Sequence, residues 1–138
     1  MLSDKNRTNQ RLVLVLENDE LIGEGLALLL RDAGYQAVVF KSFDDARNAV
    51  AMASTSVSAI ISDYDLDCGA NGVEAAKALR AKRKPEPPVL IVTGTQDRDA
   101  ATAARSAGFD ISSKPTPPAF LRRWLANNAG ARASRPLS

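Results

Sequence analysis

Four short segments hold the residues with chemistry to offer. Glu17-Asn18-Asp19-Glu20 follows one apolar run, Asp63, Asp65 and Asp67 follow another, Thr93 ends a third and Lys114 closes a weaker last one. Gathering such carboxylates is costly. Two unit charges about 4 Å apart repel by roughly 4 kcal/mol at an effective dielectric of about 20. A cluster of this kind therefore wants a bound cation or a raised pKa. Mg2+ suits it, as a small hard ion that takes one or two carboxylates and keeps several waters. A carboxylate nucleophile, Mg2+, a lysine and a hydroxyl are together the parts for phosphoryl transfer to an aspartate. The metal and the lysine neutralise charge on the transferring group, and the hydroxyl hydrogen-bonds one of its oxygens.

Composition removes the alternatives. The 138 residues contain no histidine, which excludes Ser-His and Cys-His catalysis, His-ligated metals and histidine phosphorylation on this chain. A single cysteine, Cys68, excludes an internal disulfide and a Cys-rich zinc site. Lys+Arg of 18 against Asp+Glu of 16 leaves a net charge of +2, too small to imply direct nucleic-acid binding. The basic run Lys77, Arg80, Lys82, Arg83, Lys84 has no interleaved aromatic and reads as a solvated helix end. No apolar stretch is long enough for a membrane span and no secretory signal precedes Arg11, so a cytoplasmic location is expected.

The elements that must position these residues alternate. Short apolar runs at Leu12-Leu16, Ala37-Phe40, Val57-Ile61 and Val89-Val92, with a fifth near Phe109-Ser113, read as strands, two of them continuously apolar as in parallel sheets. Between them, Ile22, Leu26, Leu29 and Ala33 form a helical stripe stopped by Gly34. Phe43, Ala46, Val50 and Ala53 repeat it after a Ser42 cap. Asn71 and Glu74 form a capping pair before Val73, Ala76 and Leu79. Ala100, Ala103, Ala104 and Ala107 lead to Gly108. Thr116 reads as an N-cap with Pro117 at the first helical position, ahead of Phe120, Leu121, Trp124 and Leu125. This (βα)5 order predicts an α/β fold, a doubly wound five-stranded parallel sheet over residues 11–128 with loose tails at 1–10 and 129–138. Ligands in such sheets bind beyond the carboxyl ends of the strands. All four segments stand there.

On these motifs the chain resembles a receiver domain of bacterial two-component signalling, over about residues 11–128. The flavodoxin-like strand order 2-1-3-4-5 goes with that resemblance. Leu12-Val13-Leu14-Val15-Leu16-Glu17-Asn18-Asp19 resembles the family's first strand and acidic pair. Asp63 stands at the phosphorylated aspartate, Thr93 at the switch hydroxyl and Lys114-Pro115 at the Lys-Pro pair. The resemblance implies Mg2+ held by Glu17, Asn18, Asp63 and the backbone carbonyl of Asp65. Asp63 through Gly72, with Val92-Thr93-Gly94, is similar to receivers attached to hybrid sensor histidine kinases.

Two departures stand out. Asn18 replaces an acid that ligates the metal in the family, and Ile111 replaces the family's frequent aromatic three residues before the lysine. Asp19 is the alternative carboxylate, or a cap for the first helix. Asp67 and Cys68 read as loop residues, and Trp124 as core.

The resemblance implies a phosphoacceptor fed by a sensor histidine kinase or histidine phosphotransfer protein, acting on a downstream protein through the 96–128 face as a monomer or weak dimer. It would catalyse only its own modification and its reversal. The alternative is a degenerate receiver, a phosphorylation-independent interaction module. A haloacid-dehalogenase-type phosphatase fits poorly, because its nucleophile follows the first core strand. FMN binding fits poorly because the first loop is acidic. Only a short tail follows the receiver-like segment, which implies a stand-alone receiver or a piece of a hybrid kinase. Lacking histidine, the chain needs its phosphodonor elsewhere.

Overall fold

The structure is a computed structural model that describes residues 11–51, 56–66, 71–81, 83–94 and 97–130. Asp67, Cys68, Lys82, Ala53 and the tails 1–10 and 131–138 lie outside the described residues. Five parallel strands alternate with five helices. They are β1 (Arg11–Leu16), α1 (Glu20–Asp32), β2 (Tyr35–Phe40), α2 (Phe43–Ala51), β3 (Ala59–Asp63), α3 (Gly72–Ala81), β4 (Val89–Thr93), α4 (Arg98–Ala107), β5 (Asp110–Ser113) and α5 (Pro118–Leu125). The sheet order is β2-β1-β3-β4-β5, as expected from the sequence.

Burial explains the arrangement. The inner strands β3 and β4 are buried along their whole length, as is most of β1. Alternate residues feed two cores. Val13, Val15, Ile61, Leu90 and Val92 pack with Leu30, Leu121 and Trp124 of α1 and α5. Leu14, Leu16, Ile60 and Ile91 pack with Val73, Leu79 and Ala104 of α3 and α4. Asp19 caps α1 by accepting from the Ile22 amide, and Asp97 caps α4 by accepting from the Ala100 amide. Ser42 and Asn71 accept from the Asp45 and Glu74 amides in the expected capping positions. Gly108, at φ 77°, ends α4 in the left-handed conformation that glycine enters without strain.

Several expectations shift. On α1 the residues facing the sheet are Gly23, Ala27 and Leu30, with Leu26 and Leu29 at their flank, whereas Ile22 is exposed. The larger side chains mark the wrong edge because the helix lies close to β2: a Cβ on Gly23 would come 2.9 Å from Val39 Cγ1. β3 is displaced two residues toward its carboxyl end, to Ala59–Asp63, where Ser62 and Asp63 find polar partners in the Gly72 carbonyl and Lys114.

The cap of α5 is Pro117, at φ −63° and ψ 137°, and not Thr116. A residue preceding proline is forced out of helical backbone, so Pro118 is the first that starts the helix. Ala129, expected in the tail, is buried in the first core within a π-helical turn at Ala126–Gly130.

The basic run is partly a clasp. Arg80 Nε donates to the Pro87 carbonyl at 3.1 Å, and its guanidinium lies 5.4 Å from the Phe109 ring. Trp124 is core as expected, with an indole N–H that donates to Asp110 Oδ2 at 2.7 Å.

Candidate functional site

Strand register sets the site. β1 pairs Leu16 with Ser62, β3 pairs Asp63 with Val92, and β4 pairs Thr93 with Ser113. Glu17, Asp63, Thr93 and Lys114 therefore emerge side by side at one edge, where the strand order reverses between β1 and β3. The Lys114 amide donates to the Thr93 carbonyl at 2.7 Å, which ties the fifth loop to β4. The Lys114-Pro115 peptide is cis.

Lys114 Nζ lies 2.8 Å from Asp63 Oδ2 and 3.7 Å from Glu17 Oε1. Both carboxylates are buried, Asp63 with 4% of its surface exposed and Glu17 with 2%. One ammonium thus faces two buried carboxylates, an excess of negative charge that favours a further cation. Asp63 Oδ1 also accepts from the Asp65 amide at 3.2 Å, and Glu17 Oε2 accepts from the Asp19 amide at 3.0 Å. Thr93 is buried at 3% exposure, and its hydroxyl has no hydrogen-bond partner among the described residues. An orphaned buried hydroxyl costs free energy unless something fills its hydrogen bond. A phosphoryl oxygen on Asp63 would.

The charges are skewed accordingly. Burial, reinforced by the neighbouring Asp63, pushes the Glu17 carboxyl above its ordinary range against the opposing Asp19 amide and Lys114. Burial pulls the Lys114 ammonium down, but the hydrogen bond and charge of Asp63, with Glu17, outweigh it and hold the pKa above ordinary lysine. The Tyr64 phenol is pushed up by burial and by the charges of Asp97, Asp99 and Asp65.

A carboxyl whose pKa is raised by folding stabilises the protein below its ordinary pKa, and that stability is lost as pH rises through the folded value. Glu17→Gln is therefore expected to raise the melting temperature by about 3–5 °C near pH 8, and by little near pH 4. Thermal melts of the two proteins across that range check it. An unchanged difference at both ends would refute the reading.

The residues expected to hold Mg2+ would offer two carboxylates, Glu17 and Asp63, beside Asn18 and the backbone of Asp65. Among the described residues no three His, Cys, Asp or Glu side chains form a metal cage. That set fits an ion that keeps most of its waters and not one that demands a full protein cage. Asp19, the alternative carboxylate, accepts from the Ile22 amide through Oδ1 as the cap of α1.

Three residues around Asp63 were not singled out from sequence. Ser62, fully buried between Ile61 and Asp63, donates to the Gly72 carbonyl at 3.1 Å. Gly72 donates to the Tyr64 carbonyl at 2.8 Å, and its missing side chain leaves room for the backbone of Asp63. Tyr64 donates its amide to the Val92 carbonyl at 2.8 Å. A serine between Ile61 and Asp63 was the one visible signal.

The family model of the response regulator receiver domain matches residues 13–125. The chain belongs to the response regulator receiver family. The transcriptional regulatory protein FixJ of Bradyrhizobium diazoefficiens is 31% identical over 105 residues, 75% of this chain and 49% of FixJ. The transcriptional regulatory protein PdtaR of Mycobacterium tuberculosis is 31% identical over 107 residues, 77% of this chain and 50% of PdtaR. The chain spans about half the length of these curated relatives. A crystal structure of a putative response regulator from Chloroflexus aurantiacus superposes with a TM-score of 0.74 at 28% identity, covering 86% of this chain and 96% of that one.

The receiver fold explains why residues so far apart in sequence converge on Asp63. In this receiver domain, Ile111 on β5 is 36% exposed. No helix among the described residues is long and apolar enough to cross a membrane.

Proposed function

We propose that this receiver domain is a phosphoacceptor switch, phosphorylated on Asp63 from a histidine of a partner kinase or phosphotransfer protein. The observation that carries the reading is the unpartnered, buried Thr93 hydroxyl beside an aspartate already held by Lys114. A carboxylate oxygen of Asp63 attacks phosphorus, the P–N bond to the donor imidazole breaks, and an acyl phosphate forms. Lys114 and the Thr93 hydroxyl take up charge and a hydrogen bond on the transferring oxygens. Reversal is hydrolysis: water attacks phosphorus, the P–O bond to Asp63 breaks, and inorganic phosphate leaves. Glu17, Asn18, Asp63 and the Asp65 carbonyl would hold Mg2+, which neutralises phosphoryl charge when bound. The domain works as a switch and not as a turnover enzyme, in the cytoplasm where ATP-charged donors are made.

Donor access is supported by exposed apolar residues on α1, Leu21 and Leu28, beside a cleft of about 750 Å³ between α1 and α5 that reaches Glu17 and Lys114. The output surface is the 96–128 face, and the proposed unit is the packed domain from residue 11 to about 128, flanked by tails.

Incubation with acetyl phosphate and Mg2+, read by intact mass, tests the reading. One added phosphoryl group that is absent from Asp63→Asn supports it. No adduct with acetyl phosphate or a histidine-phosphorylated donor would sink it. Asn18, which replaces an acidic metal ligand, would then favour a phosphorylation-independent interaction module.

A further inference from the structure

The helix α1 is apolar on more than the side it packs. Gly23, Ala27 and Leu30 are its buried residues. On the opposite side Leu21, Gly25 and Leu28 follow one another at i, i+4 and i+7, with Leu21 79% exposed and Leu28 67%. Nothing stands within 4 Å of where a Gly25 Cβ would be, so the backbone between the two leucines is open to approach. Ile22, also exposed, and the partly buried Leu29 stand on the flank toward α5. The other flank carries Glu20, Glu24 and Arg31, beside Val39 and Lys41 of β2 and its loop. Glu20 meets Lys41 at 3.6 Å, and Arg31 donates to the Ala37 carbonyl at 3.3 Å. Neither Glu24 nor Arg31 has an ion-pair partner among the described residues. A surface helix ordinarily turns a polar stripe to water, and one that is apolar on both faces belongs under cover.

We propose that a second copy of this chain covers α1, the two helices packing antiparallel about a two-fold axis near Gly25. The residue pattern of α1 is complementary to itself in that orientation. Leu21 meets Leu28 of the second copy, Ile22 meets its Leu29, and Glu20 and Glu24 lie beside its Arg31. Like flanks face each other in an antiparallel two-fold pair, so apolar meets apolar and the acids meet a base. A parallel pair would instead set the charged flank of one copy against the apolar flank of the other. Glycine at the crossing lets the backbones come close, because the distance between helix axes follows the side chains at the contact. A two-fold contact uses the same patch on both copies and closes at the dimer. One helix face is smaller than the standard interface of about 1,600 Å², so the dimer is weak, with a Kd on the order of 100 µM. The pairing does not depend on phosphorylation of Asp63.

Sedimentation equilibrium of the full chain, from about 10 µM to about 1 mM, tests the inference. The mean mass is expected to rise from that of one chain toward that of two. Leu28→Glu changes an exposed position, and thermal melts confirm that it folds. It is expected to weaken the association by about ten-fold or more. Arg31→Glu brings acid against acid and is expected to weaken it by about three-fold or more. Adding Glu20→Arg and Glu24→Arg to that variant is expected to restore it, which no merely structural role of Arg31 would do. Ile111→Ser, on the edge strand β5 at the far side of the sheet, is expected to associate as the parent does. A chain that stays monomeric to about 1 mM overturns the inference and leaves α1 to a phosphodonor. Association that survives Leu28→Glu, fails to return with the exchanged charges, is lost in Ile111→Ser or grows past two chains overturns it as well.

Discussion

Lys114→Met is expected to slow both the phosphorylation of Asp63 and the decay of the acyl phosphate, each by about 100-fold, the cost of removing one preorganised charge from a transition state. Among the described residues the lysine is the one side-chain cation placed on both buried carboxylates, at 2.8 Å from Asp63 and 3.7 Å from Glu17. The two reactions differ in nucleophile and leaving group, but each carries the phosphoryl charge past Lys114, so each loses that support. Methionine keeps much of the stem's bulk, which separates charge from packing. Rapid-quench phosphorylation with acetyl phosphate and loss of label after donor removal measure the two rates. A change in only one would show that Lys114 supports that reaction's transition state and not the other's.

The same variant has a stability signature. Without the lysine's opposing charge the buried Glu17 carboxyl is pushed further up. Lys114→Met should therefore lose stability at neutral pH and recover it toward about pH 4 as Glu17 protonates. The parent carries an additional alkaline step. A lysine whose pKa is raised by folding stabilises below its ordinary value and ceases to do so as pH rises through the folded one. Lys114→Met lacks that step.

Gly72→Ala is expected to cost about 3 kcal/mol or more of stability, or to prevent folding, because nothing near it can yield. A Cβ there would overlap the Asp63 carbonyl oxygen and lie 2.7 Å from both the Asp63 carbonyl carbon and Ser62 Oγ. Two of these are backbone atoms of a buried central strand, so relief requires moving the acceptor itself. Gly25→Ala is the control, since a Cβ at Gly25 meets nothing within 4 Å in the interior of α1. That change should stabilise by about 0.5–1 kcal/mol through helix propensity. Denaturant titrations of the two variants decide the matter, and a neutral Gly72→Ala would refute the close approach.

The strand-helix alternation and the acidic, hydroxyl and lysine positions were legible because each depends on local pattern. Leu12-Leu16 and Val89-Val92 are apolar without interruption, and Gly34 and Gly108 end helices where a left-handed residue is needed. What escaped depends on distance in sequence. The core stripe of α1 was read from its largest residues, whereas the sheet selects its smallest, Gly23 and Ala27, since that is where the helix presses closest. The Ser62–Gly72 bond joins a strand to the helix after it, and neither residue signals it alone. Thr116 looked like a cap until the consecutive prolines 117 and 118 are considered through their backbone limits.

The acceptor, its lysine, its hydroxyl and its acidic neighbour come from the ends of four different strands, spread from Glu17 to Lys114. A fragment that stops short of residue 114 holds both carboxylates and the hydroxyl without the lysine. During synthesis the lysine is the last of the four to leave the ribosome, and until it docks, the two buried carboxylates have no fixed side-chain cation to face. The proposed phosphoacceptor chemistry is therefore complete only once the last strand has docked.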